Sequence, residues 1–187
     1  MKILKDILYK TGIKNVSGPV DISVTDVCFD SRLVREGSLF VAIKGLQSDG
    51  HAFIQYVIEK GAVAIVCEVL PADKHSGITY IQVQNSASAL AHIASNYYGN
   101  PSEKLKLVGI TGTNGKTTTA TLLFHLFTSL GYKCGLLSTV KNQVNEKVIT
   151  ATHTTPDSLQ LNSLLSEMVA AGCTHTFMEV SSHSIVQ

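Results

Sequence analysis

The segment Gly109-Ile110-Thr111-Gly112-Thr113-Asn114-Gly115-Lys116-Thr117-Thr118-Thr119 constrains this chain more than any other. An apolar run, 105–110, precedes it. A stretch with Leu122, Leu123, Leu126, Phe127 and Leu130 at three-to-four-residue spacing follows it. The pattern predicts a buried strand, a glycine loop and an amphipathic helix. In that context backbone N–H groups converge at a helix N-terminus, where the dipole favours anions. Lys116 then reaches the terminal phosphates of a nucleotide, and the Thr117 hydroxyl is placed to ligate Mg²⁺. The generic spacing asks for glycine five positions before Gly115. Ile110 stands there, and the glycine falls at Gly112 instead. A Gly-rich turn that merely caps a helix is the alternative, and a Gly-Lys-Thr run in this setting weighs against it.

Met178-Glu179-Val180-Ser181-Ser182-His183 forms a second candidate, at the end of a predicted strand. Strands beside a phosphate loop commonly present an acid toward Mg²⁺ at their C-terminal end. Read alone, Glu179 is a solvated rim charge; read with Lys116 and Thr117, it is a metal ligand. Thr152-His153-Thr154-Thr155-Pro156-Asp157 opens a helix, with Thr155 as its N-cap, Pro156 in the first turn and Asp157 against the dipole. Whether those hydroxyls also face the mouth above the loop stays open. Asp30-Ser31-Arg32, Gly45, Gln47, Asp49 and Gly50 read as turn chemistry at strand ends.

Apolar spacing predicts a first helix over 3–10. A β-rich stretch follows at 22–29, strands at 38–43, 62–67 and 78–83, and helices at 52–60 and 86–98. Gly99-Asn100-Pro101 closes this mixed α/β unit, and a fresh strand begins at 105, so a boundary is expected near Pro101. The second unit reads as strand, loop, helix, strand over 134–139, a hairpin within 140–152, a helix through Leu161, Leu164, Leu165, Met168 and Val169, and a strand over 175–180. That order predicts a parallel sheet with crossover helices. With only three main strands the sheet looks unfinished, so an exposed edge and self-association are expected.

Composition removes other classes. Of 187 residues, 44% are hydrophobic and 16% charged, which supports a packed core and argues against disorder. Fifteen basic against fourteen acidic residues give a net charge of +1, unlike a protein that holds nucleic acid by bulk charge. Cys28, Cys67, Cys134 and Cys173 form no CxxC pair and sit in or beside apolar runs, as reduced thiols of a cytoplasmic protein do. The seven histidines show no zinc spacing. No signal peptide and no membrane span is read.

Thr111 to Thr119 resembles the ATP loop of the Mur ligases, ATP-dependent amide ligases of peptidoglycan precursor synthesis, which replace the first loop glycine as this chain does. Asp30-Ser31-Arg32, 37–42 and Asp49-Gly50-His51 are similar to the N-terminal domain of that family. Thr154-Thr155-Pro156-Asp157 and 178–183 resemble the branch that adds the third peptide residue. The resemblance spans the whole chain. It implies an α/β architecture with a UDP-substrate domain over 1–100 and the first part of a P-loop-type central ATP-binding domain over 101–187. By that resemblance Gly112, Thr113, Asn114, Gly115, Lys116, Thr117 and Thr118 bind ATP, with Lys116 catalytic, and Thr117 and Glu179 hold Mg²⁺. Ser31 and Gln47 contact the uridine-diphosphate end of UDP-MurNAc-L-Ala-D-Glu. Thr154, Thr155, Ser181 and Gln187 contact its muramoyl-peptide side. The implied reaction adds meso-diaminopimelate or L-lysine through an acyl phosphate. Family members carry a further part of the central domain and a C-terminal domain, so the chain reads as an inactive N-terminal fragment. A non-catalytic nucleotide-binding module is the alternative. A switch GTPase is disfavoured, because no Asn-Lys-x-Asp motif occurs.

Overall fold

The computed structural model describes residues 1–45, 48–150 and 156–181. The chain divides into two compact units, Met1–Tyr97 and Tyr98–Gln187.

In the first unit β1 (Lys2–Ile3) runs into α1 (Leu4–Ile7), followed by β2 (Ile13–Ser17), β3 (Ser23–Val24) and β4 (Val27–Cys28). A 3₁₀ turn at Ser31–Leu33 leads to β5 (Leu39–Val41). A second, at Gly50–Phe53, leads to α2 (Ile54–Glu59), β6 (Ala64–Cys67), β7 (Thr79–Val83) and α3 (Ser86–Tyr97). The sheet order is β2-β7-β6-β5-β4. Strands β4 to β7 are parallel, and β2 is antiparallel to β7. All four residues of β6 are buried, the continuous apolar run of a strand covered on both faces. Phe40, Ile65 and Tyr80 pack with Ile54 and Val57 of α2.

The helix expected over 3–10 is only one turn. Lys2 and Ile3 pair with Val24 and Ser23 instead, and Lys10 adopts a left-handed conformation that ends any continuation. So short a helix has little intrinsic stability, and strand pairing competes well with it. The Asn96 amide of α3 donates to the carbonyls of Ile7 and Tyr9 and ties this turn down. The β-rich stretch 22–29 gives two two-residue strands, β3 and β4.

In the second unit a 3₁₀ turn at Pro101–Lys104 precedes β8 (Lys106–Ile110). Then come α4 (Lys116–Ser129), β9 (Cys134–Leu137), β10 (Lys141–Val144), β11 (Lys147–Thr150), α5 (Ser158–Ala170) and β12 (His175–Glu179). The order is β11-β10-β9-β12-β8. Strands β9, β12 and β8 are parallel, and the β10–β11 hairpin extends the sheet antiparallel from β9. Alternation along the strands divides the core. Cys134, Leu136 and Phe177 pack with Ala120 and Phe124 of α4. Leu137 and Met178 pack with Leu165 and Met168 of α5. The helices therefore cover opposite faces. Among the described residues β8 has a neighbour on one side only, and Leu107 and Val108 are exposed along it.

The start of α5 differs from expectation. Its N-cap is Asp157, whose carboxylate accepts from the N–H groups of Leu159 and Gln160, both at 2.9 Å. An ionised cap satisfies two first-turn donors and opposes the dipole. Pro156 precedes the cap, and Thr155 lies outside the described residues.

All four cysteines are free and buried, and burial raises each thiol, Cys28 and Cys67 to about 11. At the far end of β12 from Glu179, the His175 ring sits 4.9 Å from that of Phe127 and 4.8 Å from that of Tyr132. Burial, with Lys106 nearby, lowers its pKa below the usual 6.5. A base with a depressed folded pKa leaves stability intact above the unfolded value. It costs stability as pH falls from about 6.5 through the folded value, because the unfolded chain binds the proton first. Urea midpoints between pH 7.5 and 5.5 are expected to fall more in the native chain than in His175→Gln. Identical slopes would contradict this.

Candidate functional site

The β8–α4 connection brings Gly112, Thr113, Asn114 and Gly115 to the N-terminus of α4, with Lys116, Thr117 and Thr118 as its first turn. Gly115 is the N-cap, at φ +78, and makes no side-chain cap. A Cβ there would meet nothing within 4 Å. Backbone conformation rather than packing demands glycine, and the space in front of the helix stays open. Helix geometry leaves the first-turn N–H groups without intrahelical partners. The Lys116 ammonium folds back to donate to the Gly112 carbonyl at 2.6 Å.

Glu179 reaches the same place from β12. Parallel pairing sets Glu179 opposite Ile110, the last residue of β8 before the loop. The carboxylate is 4% exposed. Its Oε2 accepts from the Thr139 N–H at 3.1 Å and the Thr139 hydroxyl at 2.8 Å. Its Oε1 is buried and has no hydrogen-bond partner. Burial alone pushes this carboxyl up. The hydrogen bonds from Thr139, the neighbouring Thr117 hydroxyl and the nearby Lys116 ammonium outweigh it, so Glu179 stays below the ordinary carboxylate value and ionised at neutral pH. An ionised, buried oxygen without a donor, beside a threonine hydroxyl, is a hard-oxygen set of the kind Mg²⁺ takes together with phosphate oxygens and water. Among the described residues no cluster of three or more His, Cys, Asp or Glu forms an independent metal cage.

Thr139 is the participant that sequence reasoning missed. Its only signal is a hydroxyl just beyond β9, at the end of the sheet where the neighbouring β12 carries Glu179. Ser181 is half-buried just past β12. Thr154, Thr155 and Gln187 lie outside the described residues, as do His153 and His183.

The first unit has a cleft of its own, 490 Å³ in volume, where β4 and β5 end. Phe29, Ser31, Arg32, Ile43, Gly45 and Phe53 are among its walls. Crevices at the carboxyl ends of parallel strands are where open α/β sheets bind ligands. Asp30 caps the turn that carries Ser31 and accepts the Arg32 guanidinium, with Nη2 to Oδ2 at 2.6 Å. Hydrogen bonds from Arg32 hold the Asp30 carboxyl down at about 2. The second turn at the cleft is capped by Asp49, which also holds His51 Nδ1 at 2.6 Å. His51 Nε2 accepts from the Glu68 N–H, so the ring pins this turn to the end of β6. Gln47 lies outside the described residues.

Comparison with known proteins follows the same division. Residues 110–187 match the Mur ligase middle domain, and residues 23–98 match the Mur ligase family catalytic domain. A UDP-N-acetylmuramoyl-L-alanyl-D-glutamate--2,6-diaminopimelate ligase of Cytophaga hutchinsonii is 61% identical over 185 residues, covering 98% of this chain and 38% of that protein. The structure of another ligase of that name superimposes with a TM-score of 0.77 at 23% identity, over 99% of this chain and 37% of the other. A MurF ligase from Thermotoga maritima in complex with ADP gives 0.57 at 28% identity, over 84% and 32%. The chain thus spans a little over a third of the length of the relatives it matches. With both of its units matched in order and a relative at 61% identity along nearly its full length, the chain belongs to the Mur ligase family.

Proposed function

We propose that the polypeptide carrying this chain is an ATP-dependent amide ligase that joins 2,6-diaminopimelate to UDP-MurNAc-L-Ala-D-Glu. The observation that carries the reading is the register of β8 and β12. It sets a buried, ionised and half-unpaired Glu179 beside the loop of Lys116 and Thr117. The name of the relative at 61% identity supports the substrate and favours diaminopimelate over lysine as the incoming amine. The ADP complex of a MurF ligase supports an adenine nucleotide at the loop.

A carboxylate is a poor electrophile at neutral pH. Transfer of the terminal phosphoryl group of ATP to the D-glutamate carboxylate gives an acyl phosphate, which the amine then attacks, forming the amide and releasing phosphate. Two anions must approach each other, so the residues of this chain neutralise and position charge. In the proposed division, 101–187 serve ATP and 1–100 the UDP substrate. Gly112 to Thr118 cradle the phosphates with backbone N–H groups, and Lys116 turns its ammonium from Gly112 to the terminal phosphates. Thr117 and Glu179 would hold Mg²⁺, which would supply charge neutralisation as the two anions approach. Ser31, which lines the first-unit cleft with Phe29 and Phe53, takes the uridine-diphosphate end together with Gln47. Thr154, Thr155, Ser181 and Gln187 take the muramoyl-peptide side.

Residues 1–187 taken alone are expected to bind but not to turn over, since they span 38% of the relative's length. Phosphate release from ATP with UDP-MurNAc-L-Ala-D-Glu and diaminopimelate, beside a full-length relative, tests this. Amine-dependent turnover by the 187-residue chain would refute it. Calorimetric titration tests the binding sites separately. Ser31→Ala is expected to weaken UDP-MurNAc-dipeptide roughly ten- to a hundredfold, the worth of a hydrogen bond to a charged partner, and to leave ATP affinity unchanged. Equal losses for both ligands would point to misfolding instead.

A further inference from the structure

We propose that Thr139 is a positioning residue of the nucleotide site. It fixes one oxygen of Glu179 and receives the hydroxyl proton of Thr117, so that Glu179 Oε1 and a Thr117 lone pair are left as a matched acceptor pair for a divalent cation. The proposal rests on the reading of the β8–α4 loop as a metal–nucleotide site.

Proton inventory carries the argument. A threonine hydroxyl has one proton and two lone pairs, and an ionised carboxylate only accepts. The Thr139 hydroxyl proton is committed to Glu179 Oε2 at 2.8 Å, and the Thr139 N–H reaches the same oxygen at 3.1 Å. The Thr117 hydroxyl lies 3.5 Å from that of Thr139. With the Thr139 proton already spent, the only hydrogen bond this approach permits has Thr117 donating. That direction matters, because a hydroxyl binds a cation through a lone pair and must place its proton elsewhere. The relay from Thr117 to Thr139 to Glu179 Oε2 does so. It keeps the Thr117 proton off Oε1, the buried oxygen that has no partner. A buried acceptor left unsatisfied is costly, and a cation is the partner that uses Oε1 and the Thr117 lone pair together. Valine at 139 would keep the backbone N–H and the shape. The carboxylate would lose its second anchor, and the Thr117 proton would turn to Glu179 itself.

The test compares ATP affinity in excess Mg²⁺ with ATP affinity in EDTA, by calorimetry on the 187-residue chain. Mn²⁺ binding, read by electron paramagnetic resonance, is a direct second measure. Thr139→Val is expected to shrink the Mg²⁺ advantage by roughly tenfold or more, as loss of a partner behind a metal ligand does, with affinity in EDTA unchanged. Thr139→Ser, which keeps the hydroxyl, is expected to restore most of it. Thr139→Ala carries the same test should the valine variant fail to fold, since position 139 is exposed. A full Mg²⁺ advantage in Thr139→Val, alongside its loss in Glu179→Gln, would overturn the role of Thr139 and leave the metal–nucleotide reading standing. Equal weakening in Mg²⁺ and in EDTA would also overturn it, as a merely structural effect. No Mg²⁺ advantage in the native chain, or one that Glu179→Gln does not change, would overturn the underlying reading and the proposal with it.

Discussion

Replacing Lys116 with alanine is expected to cost ATP affinity roughly ten- to a hundredfold and ADP affinity distinctly less. The ammonium now rests on the Gly112 carbonyl, four residues back, so it already overhangs the mouth of the loop. A bound triphosphate offers that ammonium an anionic partner in place of a neutral carbonyl, and a diphosphate offers it less charge at the same reach. Alanine is the best helix former and removes no core contact, so the fold is expected to persist. In a full-length ligase the same substitution removes a donor aimed at developing charge, and turnover is expected to fall by about 10²–10³. Calorimetry with ATP and ADP on native and variant chains decides the matter. An unchanged ATP affinity would mean that the loop does not hold phosphates in the proposed way.

The second large effect is one of stability. Phe177 is 2% exposed and lies at the centre of β12, paired to Leu136 on one side and Val108 on the other. Its ring meets that of Phe127 at 5.2 Å and packs with Ala120 and Phe124 of α4. Phe177→Ala is expected to cost about 3–5 kcal/mol, from lost transfer energy and an unfilled cavity. That is a large share of the roughly 5–15 kcal/mol that a domain has to lose. Leu122→Ala, at a position 63% exposed on the same helix, is expected to change stability by no more than about 0.5 kcal/mol. Denaturant midpoints for the two variants provide the measurement. A loss for Phe177→Ala no larger than that for Leu122→Ala would contradict the packing described for the α4 face.

Much of this architecture was legible in local chemistry. The run from 105 to 130 carries its strand, loop and helix in adjacent residues, each with its own periodicity or glycine, so no distant information is needed to place Lys116 and Thr117. Glu179 was legible as an acid at a strand end. Its meaning came from the expectation that its strand lies beside the loop strand, and the register of β12 with β8 supplies that. Thr139 was not legible, because nothing in its own neighbourhood points to Glu179. Their contact follows from the pairing of β9 with β12, in which Met178 stands opposite Leu137. The choice of Thr155 over Asp157 as the α5 cap failed for a local reason. Both residue types cap helices and they lie two positions apart, so the side-chain geometry of Asp157 decides. The single turn of α1 failed for a non-local one, since Lys2 and Ile3 find a strand partner about twenty residues on.

The pairing of β8 with β12 also bears on how sequences of this kind can change length. The loop before Lys116 and the acid at 179 sit at the ends of two hydrogen-bonded neighbours, so their separation is set across the ladder, not along the chain. Everything between them, including the β10–β11 hairpin and the turn at Asn145, is a detour with respect to that distance. Residues gained or lost at the hairpin turn leave the ruler untouched. One residue gained or lost inside β12 resets it, because side chains alternate between faces and Glu179 would exchange faces with its neighbour. Insertions and deletions among homologous chains are therefore expected to gather near Asn145 and to avoid 175–179, whatever the substitution rate at either place.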